Sequence, residues 1–179
     1  IVRGLAWTSV GGDTLQIEVN VMPGKGVLQM TGQMGDVMKE SAQIALTYVR
    51  SVASDYGVKE NYFEKHDIHL HIPEGAVPKD GPSAGITMAT AMLSAVTGRK
   101  VLPRVAMTGE VTLRGHVLMI GGLKEKLLAA RMAQVEKVLV PAKNQPDVEE
   151  LSKEITKGME IVYIKEMNEV IREAFVPEK

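Results

Sequence analysis

The segment that could do chemistry most directly is Gly81-Pro82-Ser83-Ala84-Gly85, which matches the pattern G-x-S-x-G. A serine hydroxyl in such a setting can act as the nucleophile of an acyl transfer. In α/β-hydrolases this pattern forms a strained turn between a buried strand and a helix. Here residues 73–82 contain three prolines and two glycines, which predicts a loop before the serine instead of a strand. This context argues against an α/β-hydrolase.

The position of Ser83 is nevertheless favourable for catalysis. Residues 85–97 are apolar nearly all round, which predicts a buried helix that begins just after the serine. Backbone N–H groups in a first helical turn lack intrahelical partners, and together with the helix dipole they can stabilise an oxyanion. The loop backbone at Gly81, Pro82, Ser83 and Ala84 is therefore the predicted oxyanion site. The pentapeptide alone leaves open that Ser83 is only a helix cap.

A serine nucleophile needs a base, and histidine is the usual one. The chain has four histidines, of which only His116 follows Ser83. His69 and His71 share one face of a strand predicted over residues 67–72, a spacing that could hold a metal ion. Since no third ligand is evident, we expect a polar strand face and no metal site.

Lysine is the other possible base, provided that burial lowers its pKa enough to leave the amine neutral. On a helix predicted over residues 123–135, Lys126 shares its face with apolar or small residues only, namely Leu123, Leu127, Ala130 and Ala133. Lys124 shares its face with Arg131, whose charge indicates solvent. Lys126 is thus the better candidate. The alternative left open is a surface lysine whose stem covers apolar side chains while its amine stays hydrated.

Two further residues could tune this lysine. Thr108 ends a predicted strand, and its hydroxyl could accept from an ammonium group or donate to a neutral amine, which would orient the lysine. Glu110 could act through its charge, although a carboxylate paired directly with the lysine would raise the pKa and oppose base function. Spacing alone does not separate these roles from those of an ordinary strand threonine and an exposed glutamate.

The elements that would position these residues predict a single mixed α+β domain. Residues 15–21 and 27–31 flank the turn Pro23-Gly24-Lys25-Gly26 and predict a β-hairpin, followed by a helix that Asp36 caps. The later half alternates strands and helices. The other predicted strands cover residues 67–72, 101–107, 111–120, 137–140 and 161–164. The other predicted helices cover residues 36–54, 85–97, 123–135 and 167–175, with one more opened by Asn144 or Asp147.

Composition excludes several classes of function. The 179 residues suit one domain, and 45% hydrophobic with 24% charged residues is ordinary globular composition. A net charge of -1 provides no field that would attract nucleic acid or an anionic membrane. The absence of cysteine excludes disulfides and thiolate sites and fits a reducing compartment. No apolar run reaches membrane-spanning length.

Taken together, these segments resemble the proteolytic domain of the Lon family of ATP-dependent proteases. The resemblance is carried by Pro73-Glu74-Gly75-Ala76 and the following residues 78–85, by residues 107–115, and by residues 120–130. Gly4-Leu5-Ala6-Trp7 is similar to the start of that domain. One departure is that residues 131–135 lack the glycine often found before the next strand.

The resemblance implies the family's α+β fold and a role for each residue of the site. Ser83 would be the nucleophile and Lys126 the base, with Thr108 holding the lysine by a hydrogen bond. Glu110 falls within the same motif as Thr108. Asp80 would lie in a loop that switches between inactive and active shapes in family members.

The resemblance also implies partners that the residues themselves do not. The family forms homohexameric rings around an enclosed chamber and degrades misfolded and selected regulatory proteins after unfolding them with ATP. This chain has no G-x-x-x-x-G-K-[ST] phosphate loop, so ATP and Mg²⁺ are expected on an ATPase domain outside it and no cofactor is expected within it. We therefore expect residues 1–179 to be an excised proteolytic domain, bacterial and cytoplasmic, with the mitochondrial matrix as the alternative location.

A different class of function remains open on the residues alone. Small α+β domains with glycine-rich loops also bind phosphates or RNA through helix N-termini. A non-catalytic or standalone module of that kind is the alternative hypothesis.

Overall fold

The structure is a computed structural model of the chain, and it describes residues 1–8, 11–73 and 81–177. The strands are β1 (Val2–Thr8), β2 (Gly11–Pro23), β3 (Leu28–Thr31), β4 (His66–His71), β5 (Val105–Met107), β6 (Glu110–Val111), β7 (Val117–Leu118), β8 (Lys137–Pro141) and β9 (Glu160–Ile164). The α-helices are α1 (Asp36–Val52), α2 (Tyr62–Lys65), α3 (Gly85–Thr97), α4 (Leu123–Met132), α5 (Gln145–Glu149), α6 (Lys153–Thr156) and α7 (Met167–Ala174). Short 3-10 turns cover Ala53–Tyr56 and Ala142–Asn144.

One mixed sheet organises the domain, with strand order β3-β4-β2-β1-β5-β8-β9. The long strand β2 pairs antiparallel with β1 through its first half and with β4 through its second half. From β1 onward, through β5 and β8 to β9, neighbouring strands are parallel. Antiparallel pairing of β2 with both of its neighbours and parallel pairing elsewhere in this sheet confirm the predicted α+β class with a mixed sheet packed by helices.

The predicted hairpin between residues 15–21 and 27–31 is wrong. β3 pairs in parallel with β4, which lies between β3 and β2, and the N-terminal hairpin is formed by β1 and β2 instead. The cause lies in the turn before β3. The Asp67 carboxylate accepts hydrogen bonds of 2.9 to 3.0 Å from three consecutive backbone N–H groups of residues 25–27. These bonds fold the turn around the start of β4, and they hold the pKa of Asp67 below its usual value.

The main core surrounds α3, which packs on α1 on one side and on β1 and β2 on the other. Every residue from Gly85 to Leu93 is buried, which confirms the prediction of a helix buried on most sides. The start of this helix is tightly confined. A Cβ at Gly85 would lie 2.9 Å from the Val111 side chain and 3.0 Å from the Ser41 hydroxyl. Glycine thus allows α1, α3 and β6 to meet at one point.

A second cluster of buried side chains lies beneath α4. Leu123, Leu127 and Ala130 of this helix pack with Leu5 of β1 and Val138 of β8, among others. The helix therefore buries one face against the sheet, as its apolar positions predicted.

Several predicted element boundaries differ from the observed ones. The strand predicted over residues 101–107 is limited to β5, and the N–H of Leu102 bonds instead to the carbonyl of Ala174. The strand predicted over residues 111–120 is divided between β6 and β7, because Gly115 adopts a left-handed φ of 84° in the turn between them. The N-cap of α1 is Gly35, with Asp36 in the first turn, whereas Asn144 does precede a helix as one alternative predicted.

The C-terminus of α4 explains the missing glycine noted in the sequence. Gln134 has a φ of 59°, in the left-handed region where glycine is the common residue at a helix end. The N–H groups of Gln134 and Val135 bond to the carbonyls of Arg131 and Ala130, each at 3.0 Å, which is a Schellman motif. This chain therefore ends α4 in the usual way, but with a residue whose Cβ disfavours that conformation.

Replacing Gln134 with glycine should raise the free energy of unfolding by about 1 kcal/mol, because glycine removes the steric penalty of the left-handed conformation. Gln134 is exposed, so little packing is lost. Urea denaturation of Gln134→Gly and Gln134→Ala would measure this effect. The alanine variant keeps a Cβ and should show no gain; equal stability of the two variants would contradict the prediction.

Candidate active site

Ser83 lies in a turn immediately before α3. Gly81 has a left-handed φ of 98°, which favours glycine there, and the Gly85 N–H closes the turn onto the Pro82 carbonyl at 3.1 Å. The N-cap of α3 is Ala84, and no side chain caps the helix. Ser83 is half-buried and is not the helix cap that the pentapeptide had left open.

The segment between β5 and β6 holds the backbone of Ser83. The Gly109 N–H donates to the Ser83 carbonyl at 2.8 Å, and the Ile86 N–H donates to the Gly109 carbonyl at 3.1 Å. Thr108 is itself tied to the sheet, since its N–H donates to the Leu139 carbonyl of β8 at 3.1 Å. The start of α3 and the end of β5 are thus joined through backbone atoms.

Lys126 projects from α4 into this junction. Its residue surface is 3% exposed, whereas Lys124 is exposed, as the two helix faces predicted. Its amine donates to the Thr108 hydroxyl at 3.3 Å, and that hydroxyl makes a long contact of 3.5 Å with the Ser83 carbonyl. Burial lowers the pKa of Lys126 from 10.5 to about 8, because the charged form loses hydration. With this pKa, about one amine in ten is neutral at pH 7 and about half are neutral at pH 8.

The carboxylates predicted near the site take different positions. Glu110 lies half-buried in β6, paired with Leu118 of β7. Among the residues that the structure describes, no carboxylate forms an ion pair with Lys126, so nothing there opposes the effect of burial on its pKa. Asp80 lies outside the described residues, and the switching loop to which it was assigned stays a prediction.

None of the four histidine rings is hydrogen-bonded to Ser83 in the described part of the chain. Each ring has another partner, at 2.6 to 2.8 Å: His66 the Tyr62 carbonyl, His69 and His71 the Thr31 hydroxyl, and His116 the Glu166 carboxylate. The described histidine, aspartate and glutamate side chains also include no group of three that could hold a metal ion.

Two residues around the site were not singled out from the sequence for this role. Asn144 is fully buried, and its side chain both accepts from the Ile120 N–H at 3.0 Å and donates to the Ile120 carbonyl at 2.9 Å. It thereby fixes the segment that leads into α4. Gly12 of β2 lies directly against the backbone of α4 at Lys126. Both contacts join distant parts of the chain, so no local pattern indicates them.

Comparison with known proteins shows the family to which the chain belongs. Residues 1–177 match the family model of the Lon protease (S16) C-terminal proteolytic domain. The chain is 68% identical over 176 residues to the Lon protease of Lachnoclostridium phytofermentans, which covers 98% of this chain and 22% of that protein. It is 55% identical over 179 residues to Lon protease 1 of Bacillus subtilis, covering 100% of this chain and 23% of that protein. It is 57% identical over 176 residues to the Lon protease of Heliobacterium modesticaldum, covering 98% of this chain and 22% of that protein.

The fold and these similarities define a protease domain. The chain belongs to the Lon protease (S16) C-terminal proteolytic domain family. It spans about a fifth of the length of the curated relatives that it matches. Across the described residues, no helix is both long and apolar enough to span a membrane.

Proposed function

We propose that this domain is a serine endopeptidase in which Ser83 is the nucleophile and Lys126 the general base. The observation that carries the proposal is the buried Lys126 amine, which is hydrogen-bonded to Thr108 next to the backbone of Ser83. A lysine can act as a base only in its neutral form, and burial favours that form here. The absence of a histidine partner for Ser83 among the described residues supports the same assignment.

The reaction would proceed through an acyl-enzyme. Neutral Lys126 takes the proton of Ser83 Oγ while that oxygen attacks the scissile carbonyl, and backbone N–H groups beside Ser83 stabilise the oxyanion. The resulting ammonium gives its proton to the leaving amine. Water then enters and attacks the acyl carbon while the same lysine accepts its proton. The bond from that carbon to Ser83 Oγ breaks, Oγ takes the proton back from the lysine, and the carboxylic acid product leaves.

Thr108 would position the lysine throughout this cycle. Its hydroxyl now accepts from the amine at 3.3 Å, and it can keep that bond when Lys126 is charged. Ser83 and Lys126 are not hydrogen-bonded to each other in the described structure, so the proton transfer requires their side chains to approach once a substrate is bound. Catalytic hydrogen bonds often tighten only in the complex. Glu110 and Asp80 are proposed to influence the charge and shape of the site.

The partner domain, substrates, assembly and location of this domain are also proposals. Because the Lon proteases that it resembles are several times longer, we infer that the domain works beside an ATPase domain that carries ATP and Mg²⁺. Unfolded or damaged proteins would be the substrates, a homohexamer the assembly and the bacterial cytoplasm the location. This domain would need no cofactor of its own.

A fluorophosphonate probe tests the nucleophile directly. The wild-type chain should be labelled at Ser83, since the probe reacts with activated serines. Ser83→Ala should abolish labelling, whereas replacement of the exposed Ser54 by alanine should leave it unchanged. Labelling that survives in Ser83→Ala would refute the assignment. Absence of labelling in an assembled ring, with binding of phosphate or RNA instead, would favour the non-catalytic module.

A further inference from the structure

The sheet comes very close to the backbone of α4 at Gly12 of β2. A Cβ at this position would overlap the Glu125 carbonyl group and would lie 3.1 Å from the backbone nitrogen of Lys126. This carbonyl group and this nitrogen form the peptide bond that precedes the lysine. Because backbone atoms cannot rotate away as a side chain can, any side chain at residue 12 would require β2 and α4 to separate.

The position of Gly12 makes α4 the element that would move. Gly12 is paired with Trp7 of β1 within a run of seven paired residues, and the second half of β2 is paired with β4. Gly12 is thus held by backbone pairing with β1, and the strand that carries it continues into the pairing with β4. The helix has ten residues and is held to the sheet by side-chain packing. A helix held by side-chain packing is displaced more easily than a strand held by backbone hydrogen bonds.

Separation at this point would act first on the Lys126 amine. The amine reaches Thr108 at 3.3 Å, close to the limit of a hydrogen bond, so an outward shift of about 1 Å would break the contact. The same shift would admit water around an amine whose residue is now 3% exposed. Hydration stabilises the ammonium form, so the fraction of neutral lysine would fall.

We propose that Gly12 is a positioning residue, whose missing side chain sets the depth at which α4 places Lys126 against Thr108. The proposal rests on the Ser83–Lys126 chemistry proposed above. It assigns Gly12 no contact with substrate. Its effect is on the base alone, through the distance between β2 and the peptide bond before the lysine.

Gly121 provides a matched control next to the same helix. It lies two residues before α4, and a Cβ there would meet nothing within 4 Å. Neither Gly12 nor Gly121 has a left-handed φ, so alanine is conformationally acceptable at both positions. The two substitutions therefore differ in the space available to the new methyl group.

The test measures the rate of fluorophosphonate labelling at Ser83 against pH for the wild-type chain, Gly12→Ala and Gly121→Ala. For Gly12→Ala we expect the midpoint of the profile to move upward by about one pH unit, with a labelling rate at pH 7.5 about tenfold lower and recovery at high pH. Gly121→Ala should keep the wild-type midpoint. The midpoint does not depend on how much protein is folded, so moderate destabilisation does not obscure the result.

Several outcomes would overturn the proposal. A wild-type midpoint in Gly12→Ala, with or without a loss of stability, would reduce Gly12 to a packing residue. The same conclusion would follow if Gly12→Ala had no folded fraction by circular dichroism even when combined with Gln134→Gly. By contrast, normal labelling in Lys126→Ala would refute the proposed base itself, which separates the two failures.

Discussion

Replacing Lys126 with methionine should lower peptide hydrolysis by about 1,000-fold at pH 8, because the nucleophile then has no base. Methionine resembles lysine in length and suits the buried site, so the fold should be retained. Lys124→Met is the matched control. It makes the same chemical change two residues earlier on an exposed face of the helix and should keep wild-type activity.

The pH dependence of the wild-type rate provides a second test of the same base. Only the neutral Lys126 amine can accept the serine proton. The rate of peptide hydrolysis should therefore rise about tenfold per pH unit at pH values below the pKa of this lysine. The rate should level off once the pH exceeds the pKa of Lys126, which is about 8. A His116→Gln variant should give the same profile, because that ring is bonded to Glu166. Wild-type activity in Lys126→Met, with activity lost in His116→Gln, would refute the dyad.

The elements that could be predicted from the sequence are those whose signals are local. The apolar run of α3 is interrupted only by Thr87, Thr90 and Ser94, and the observed helix Gly85–Thr97 has the bounds that this run predicts. The hairpin assigned to residues 15–21 and 27–31 failed because pairing was decided by Asp67, some forty residues away, which binds the turn. The sequence of a turn does not indicate that a side chain from a distant strand will hydrogen-bond to its backbone.

In the candidate site, too, the features with local sequence signals could be predicted and those that depend on distant contacts could not. The helical period predicted that Lys126 and not Lys124 faces the core, because only local spacing was needed. Thr108 was recognised as a possible partner, yet its contact with the lysine depends on how α4 packs against the sheet. The contact at Gly12 could not be predicted, since it depends on the distance between two backbones that are more than 100 residues apart in sequence.

The same lysine that is proposed to drive catalysis should destabilise the folded domain. Its folded-state pKa is about 8, against 10.5 when hydrated in the unfolded chain. Between these values the unfolded state binds a proton that the folded state does not, so stability rises with pH. Below pH 8 both states are protonated, and burial of the charge opposes folding in full. A shift of this size corresponds to about 3 kcal/mol.

Lys126→Met should therefore be more stable than the wild-type chain by about 3 kcal/mol at pH 7, an advantage that should shrink as pH rises from about 8 to 10.5. Urea denaturation of both proteins and of Lys124→Met, at one-unit intervals from pH 7 to 11, would measure it. Taking the difference between variants removes the contribution of the tyrosines, which titrate near pH 10 (about their ordinary pKa) in the unfolded chain. Lys124→Met should show no such trend. A difference between Lys126→Met and wild type that stays constant across the range would mean that the amine is hydrated in the folded state. In that case it could not serve as a neutral base near pH 8.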